Sequence, residues 1–169
     1  MKLIVCSDSH GRRASLESIF RQHPDAEVLI FLGDGARDWE NADLPYGPNC
    51  RIIQVAGNCD RGSDKAITSV DNIGAHKFFI THGHWFHVRA GGEYLAMSAR
   101  DEGCDVALYG HTHCPYQGTI LGVHVFNPGA VLNGHYGTIE LDGDQITFHN
   151  WQLIPGSDAS EEITPPSMG

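Results

Sequence analysis

The feature that most constrains this chain is a recurring pattern: a short, continuously apolar run that stops abruptly at small residues and then a carboxylate, an amide or an imidazole. Leu3-Ile4-Val5-Cys6 stops at Ser7-Asp8-Ser9-His10-Gly11, residues 27–32 stop at Gly33-Asp34, and residues 51–56 stop at Gly57-Asn58-Cys59-Asp60. Residues 76–81 stop at His82-Gly83-His84, and residues 105–109 stop at Gly110-His111-Thr112-His113. Runs this short and this apolar suit strands buried on both faces of a sheet that helices cover. In such sheets a site forms outside the carboxyl ends of the strands. The pattern therefore predicts one crevice that collects two aspartates, one asparagine and several histidines. Scattering the same polar groups through a core would be costly, because a buried polar group without a partner is destabilising.

The last run shows what the crevice is suited to. On an extended strand alternate residues project to the same side, so His111 and His113 are expected to face one point if the backbone stays extended beyond Gly110. Two converging neutral imidazoles suit a divalent transition metal. The seven donors Asp8, His10, Asp34, Asn58, His82, His111 and His113 are all oxygen or nitrogen, which favours Mn, Fe, Co, Ni or Zn over copper(I) or an iron–sulfur cluster. Seven donors are too many for one tetrahedral ion, so two ions are expected, with one aspartate bridging them. Two metals roughly 3.5–4 Å apart clamp an in-line displacement at phosphorus and acidify a bridging water into a hydroxide nucleophile.

Composition bounds the partners. A chain of 169 residues with 41% hydrophobic and 19% charged content reads as one globular domain, here residues 1–154 followed by a tail, 155–169, expected to fray. The formal net charge of −10 argues against nucleic acid and anionic membranes as partners. It leaves a small phosphoester or nucleotide admissible, because bound cations invert the local field of a carboxylate site. No apolar stretch approaches the roughly 20 residues that span a bilayer. Met1-Lys2 leads straight into the first apolar run with nothing like an export signal, which points to the cytoplasm. The five cysteines are odd in number and lack CxxC spacing, so they are expected to be reduced thiols. A homo-oligomer is compatible with all of this.

The rest of the chain reads as ordinary scaffold. Residues 12–22 and 91–102 have helical spacing, with Pro24 and Gly103 as stops. Residues 38–50, rich in Pro, Gly, Asn and Asp, are expected to be a loop, and residues 66–73 give a weak strand signal. Residues 119–126 form a β-rich run interrupted by Gly122, followed by a turn at Asn127-Pro128-Gly129. Residues 136–141 and 145–153 flank Asp142-Gly143-Asp144, a hairpin signal.

Taken in order, DSHG (Asp8, His10), GD (Asp34), GNCD (Asn58), HG (His82) and GHTH (His111, His113) resemble the five signatures of the calcineurin-like metallophosphoesterase superfamily. They look most like its small bacterial and archaeal phosphodiesterase branch, which is similar to the retromer subunit of related fold. The resemblance implies an α/β fold, a four-layer αββα sandwich of two mixed sheets with the site at one edge. It implies that Asp8, His10, Asp34 and His113 hold a first metal and that Asp34, Asn58, His82 and His111 hold a second, with Asp34 bridging. The implied activity is that of a dinuclear metal-dependent phosphodiesterase, with manganese the first choice and Fe, Zn, Ni or Co as alternatives. A phosphomonoesterase, or a non-catalytic scaffold on the same fold, are the alternatives to that activity.

One position departs from the family pattern. Many members have histidine after the GN pair, near the leaving group as a candidate acid, and this chain has Cys59. A thiol with an ordinary pKa of about 8.5 is a weak donor. Cys59 is read either as a catalytic thiol or as a bystander beside the site, and His84 either as the substitute acid or as a supporting histidine. Arg12 and Arg61 follow ligand loops and are candidates for gripping phosphate oxygens. Asp60 is a candidate for orienting a ligand. His23, His76, His124 and His149 read as structural, and Trp85, Phe86 and His87 as a substrate wall or simple packing.

Overall fold

In the first strand alternate residues go to different layers, and the fold follows from that. The computed structural model describes residues 1–166 of the 169. In β1 (Lys2–Cys6), Leu3 and Val5 enter one buried cluster while Ile4 and Cys6 enter another. β2 (Val28–Phe31) divides in the same way, Val28 and Ile30 to the first cluster and Leu29 and Phe31 to the second. A strand whose two faces are both buried has no polar side to show, which is why these runs are continuously apolar.

Two sheets result. The first has six strands in the order β11-β10-β9-β1-β2-β3, where β3 is Arg51–Gln54, β9 His135–Asp142, β10 Gln145–Leu153 and β11 Ser160–Ile163. The second has five in the order β4-β5-β6-β8-β7, where β4 is Thr68–Ile73, β5 His76–Thr81, β6 Val106–Leu108, β7 Tyr116–Ile120 and β8 Val123–Asn127. The sheets face each other across Leu3, Val5, Ile30, Phe78, Ile80, Leu108 and Phe126. Outside the first sheet lie α1 (Arg13–Gln22), through Leu16, Ile19 and Phe20, and α2 (Ala36–Asn41), through Trp39. Outside the second lies α3 (Glu93–Asp101), through Leu95, Ala96 and Ala99 against Phe79, Ala107 and Val125. This is the αββα sandwich of two mixed sheets. No helix among the described residues is long and apolar enough to cross a membrane.

Topology then places the site. β1, β2 and β3 are mutually parallel, so their carboxyl ends share one edge of the first sheet. β5, β6 and β8 are parallel in the second sheet. The two edges meet: His82 Nδ1 lies 2.8 Å from the Leu32 carbonyl, and the His111 amide donates to Asp8 Oδ2 at 3.0 Å.

Several expectations need correction. The backbone beyond Gly110 is not extended, because β6 ends at Leu108 and His111 and His113 have φ of 64° and 62°. The supposed loop over 38–50 begins inside α2, held by Trp39 stacked on Phe31 at a centroid distance of 4.9 Å. The weak signal over 66–73 is β4, paired along its length with β5. The β-rich run is two strands, reversing at Leu121 (φ 51°) and Gly122 (φ 81°), the two positive φ values that a two-residue hairpin loop favours. The tail expected to fray from 155 instead supplies β11, which pairs with β10 from Leu153–Ser160 to Asn150–Ile163. That pairing covers backbone groups β10 would otherwise expose as an edge strand. Residues 167–169 of that expectation lie outside the described residues.

Candidate metal centre

At the carboxyl ends of the strands the backbone turns left-handed, and it does so at the residues that carry the chemistry. Among the described residues seven other than glycine have positive φ, and five of them are Asp8, His10, Asp34, His111 and His113. Such conformations are uncommon for residues with a Cβ and cluster at functional sites. They roll each side chain back into the crevice where an extended strand would point it past the sheet edge. Two glycines make the approach feasible. A Cβ on Gly57 would stand 2.6 Å from the Asp34 nitrogen, and one on Gly110 would stand 2.8 Å from Asp8 Oδ2.

The side chains converge as two overlapping groups. Asp8 Oδ1 faces His113 Nε2 at 3.0 Å, His10 Nε2 at 3.6 Å and His82 Nε2 at 3.9 Å. Asp34 Oδ2 faces His82 Nε2 at 3.3 Å and His10 Nε2 at 3.9 Å. Asp8, His10 and His113 thus offer three ligand atoms within 4.8 Å of one another, and so do Asp34, His82 and His111. A third such group, His10, Asp34 and Cys59, joins them. Asn58 is exposed at the rim, with Nδ2 3.4 Å from Cys59 Sγ.

The donor set fits a cation better than it fits itself. Asp8 and Asp34 are almost fully buried, at 0% and 3% exposure, beside a His82 of 0%. His82 Nδ1 faces a carbonyl, which only accepts, so Nδ1 carries the hydrogen and the neutral ring turns the lone pair of Nε2 toward Asp34. In that neutral state Nε2 has no hydrogen-bond partner, and it bonds Asp34 only when protonated. A lone pair and a carboxylate oxygen at this range repel unless a positive charge stands between them, and a divalent ion supplies one. With no ion, that charge has to be a proton. Burial pushes the His82 pKa down, and the hydrogen bond to Asp34 with the Asp8 charge outweighs it, so the net direction is up. For Asp34 burial acts upward, and the bonds from His82 and the Cys59 amide carry it well below the usual carboxylate range. Burial pushes the Cys59 thiol up, and the surrounding Asp34, Asp60 and Asp8 add to it. Burial, with His82 next, lowers both His84 and His111.

The loops are held by residues of two kinds. Asp60 Oδ2 accepts from the amides of Asp34 and Gly57, both at 2.8 Å, and Oδ1 accepts from Gly35 and Ala36, both at 2.9 Å. The proposed orienting role thus falls on the backbone that carries Asp34. Ser7 Oγ donates to Asp8 Oδ2 at 2.5 Å. Asn127 Nδ2 donates to the Gly110 carbonyl at 3.1 Å and to Thr112 Oγ1 at 3.0 Å, while its Oδ1 accepts from the Gly129 amide at 2.8 Å. Asp38 accepts from Ser9 Oγ at 2.6 Å and the Gly11 amide at 2.7 Å. Ser7 and Asp38 have no signal of their own in the sequence beyond neighbouring a ligand loop, and Asn127 has only that of the Asn-Pro-Gly turn.

A family model for the calcineurin-like phosphoesterase superfamily domain matches residues 1–144, which spans every loop described above. The chain belongs to the calcineurin-like phosphoesterase superfamily. Among relatives, a phosphodiesterase of Escherichia coli K12, YfcE, is 30% identical over 182 residues, covering 91% of this chain and 95% of that one. A probable metallophosphoesterase of Bacillus subtilis, YsnB, is 29% identical over 155 residues, covering 87% and 88%. The fold is shared with a predicted phosphoesterase of Streptococcus pneumoniae, at a TM-score of 0.73, 24% identity and 96% of each chain. It is shared equally with zinc-bound Vps29 of Entamoeba histolytica, at 0.74, 22% identity and 96% and 98% of the two chains.

Within this calcineurin-like phosphoesterase fold the remaining candidates separate. Arg61 lines the cavity beside His10, Asp34 and Cys59, whereas Arg12 lines a different hollow with Ser15 and Leu132. His84 sits in a 3₁₀ turn, His84–Phe86, its ring 5.3 Å from that of His82. Phe86 packs against Phe79, while Trp85 is 65% exposed. His87 is also exposed, its ring 5.8 Å from Tyr94. His23 bonds Tyr136, His76 bonds Asp105 and His149 bonds Glu162, each with a structural partner away from the crevice. His124 packs against Phe148.

Proposed function

We propose that this chain hydrolyses a phosphodiester, of a small molecule or nucleotide, at a centre of two divalent ions. The observation that carries the reading is the sharing of Asp34: its carboxylate lies within ligand reach of His10 on one side and of His82 and His111 on the other. In this reading Asp8, His10, Asp34 and His113 hold one ion and Asp34, Asn58, His82 and His111 the other. When bound, the ions neutralise phosphate charge and acidify a water for in-line attack at phosphorus. Oxygen and nitrogen donors with two carboxylates suit Mn first, with Fe, Zn, Ni or Co as alternatives.

The chain's own residues do the rest. Asp60 and Asn127 keep the ligand loops in register, and Cys59 and His84 are the groups beside the centre available to the leaving oxygen. A thiol is a weak donor, so esters with good leaving groups are the expected substrates. A diester carries a second arm, and a cavity of about 620 Å³ opens beside His10, Asp34 and Cys59 with room for it. This favours a diester over a monoester. The five cysteines are all free thiols, which suits the reducing cytoplasm.

The test is turnover of bis(p-nitrophenyl) phosphate by Mn-loaded protein, abolished by a chelator. His82→Ala and His113→Ala are each expected to lower bound metal by elemental analysis and to reduce turnover about tenfold or more. If the metal-loaded protein cleaves no phosphoester, a scaffold role takes its place, the reading that the likeness to Vps29 favours.

A further inference from the structure

The cavity beside His10 and Cys59 is larger than the reacting phosphoryl group needs, at about 620 Å³, a size typical of sites that enclose a whole small ligand. Arg37, on α2, and Arg61, just after the Asn58 loop, both line it. Among the described residues neither guanidinium pairs with a carboxylate, the ion pairs there involving other cations. The acids on the same wall are mostly committed elsewhere: Asp60 to its backbone amides and Asp38 to Ser9 and Gly11. Glu40 is the remaining carboxylate on that wall outside the metal cluster. No Phe, Tyr or Trp lines the cavity, so it offers no platform for stacking a base or aryl ring.

Resting on the phosphodiesterase reading, we infer that this cavity is a subsite for a second anionic group of the substrate, a phosphate or carboxylate on one ester arm, gripped by Arg37 and Arg61. A guanidinium fork suits both anions. The wall also carries Asp34, Asp38, Glu40 and Asp60, so the grip is local, guanidinium to anion, and the wider positive field would come from the divalent ions of the centre when bound.

The experiment compares three p-nitrophenyl phosphodiesters at fixed ionic strength, whose second arm is ethyl, 2-phosphonoethyl or carboxyethyl. Wild-type Mn-loaded protein is expected to prefer at least one anionic arm over ethyl by about tenfold or more in kcat/KM, mainly through KM. The phosphonate and carboxylate arms say which anion is the better fit. Arg37→Ala with Arg61→Ala should erase the preference. Arg21→Ala with Arg100→Ala, an equal charge change on α1 and α3, should keep it. No preference in the wild type, or a preference that survives the Arg37/Arg61 change, overturns the subsite. If no diester turns over, the phosphodiesterase reading fails separately, and calorimetry with methyl 2-phosphonoethyl phosphate decides the subsite. About tenfold weaker binding in the Arg37/Arg61 variant upholds it, and equal binding overturns it.

Discussion

The loop that carries Asp34 and the loop that carries His111 and His113 do the same job with opposite chemistry. The first is held by a carboxylate, Asp60, which accepts four backbone N–H groups, from Asp34, Gly35, Ala36 and Gly57. The second is held by an amide, Asn127, which donates to a carbonyl and a hydroxyl and accepts from one N–H. The difference lies in what each backbone leaves unpaired. Behind Asp34 the chain turns directly into α2, and a helix start exposes N–H groups, which call for an acceptor with two oxygens. Behind Gly110 no helix follows, so a carbonyl is left beside the donors and the holding side chain must both give and accept.

Removing or inverting each side chain tests this. The largest effect is expected for Asp60→Ala, which orphans four amides: about 3 kcal/mol or more of stability lost in urea unfolding, with weakened metal binding. Asp60→Asn should fall only slightly short of that, since its NH₂ would face N–H groups. Next comes Asn127→Ala, at about 2 kcal/mol, with Asn127→Asp at least as damaging because a carboxylate would face the Gly110 carbonyl. If Asp60→Asn or Asn127→Asp proves as stable as the wild type, the two loops are not held by matched chemistry.

Acid stability sharpens the comparison once a background from outside both loops is removed. His23 is 8% exposed, bonded through Nε2 to the Tyr136 hydroxyl at 2.9 Å, and burial lowers its pKa to about 4. The unfolded chain takes up that proton near pH 6.5 and the folded chain only near 4. Stability from this group is therefore complete above about pH 7 and is lost as pH falls through that window, roughly 1 kcal/mol between pH 7.5 and 5.5. Unfolding midpoints of the wild type and His23→Asn at both values give the slope. Equal slopes would remove His23 from the account.

The strand ends were legible because a doubly buried strand has to be apolar throughout and then has to stop, and Gly33, Gly57 and Gly110 mark where the backbone needs room. Asp8, Asp34, His82, His111 and His113 could be named on that basis. Arg37 could not, because it lies just before the stretch 38–50 that reads as loop and no local pattern marks a helix there, while the helix depends on Trp39 packing on Phe31 and on Asp60 from a later loop. β11 was equally hidden. Its residues Ser160-Glu161-Glu162-Ile163 have no strong strand preference, and their pairing is dictated by the open edge of β10.

By itself, then, the sequence determined which residues end strands and what donor chemistry they bring, because local periodicity and residue type are properties of short segments. Only the tertiary structure decided how those donors meet. The left-handed turns at Asp8, Asp34, His111 and His113 and the sharing of Asp34 between the two histidine groups depend on two sheets packed face to face, and the holding of its loop by Asp60 depends on β2 and β3 lying side by side. That stacking is set by burial of residues far apart in the chain, and no short segment encodes it.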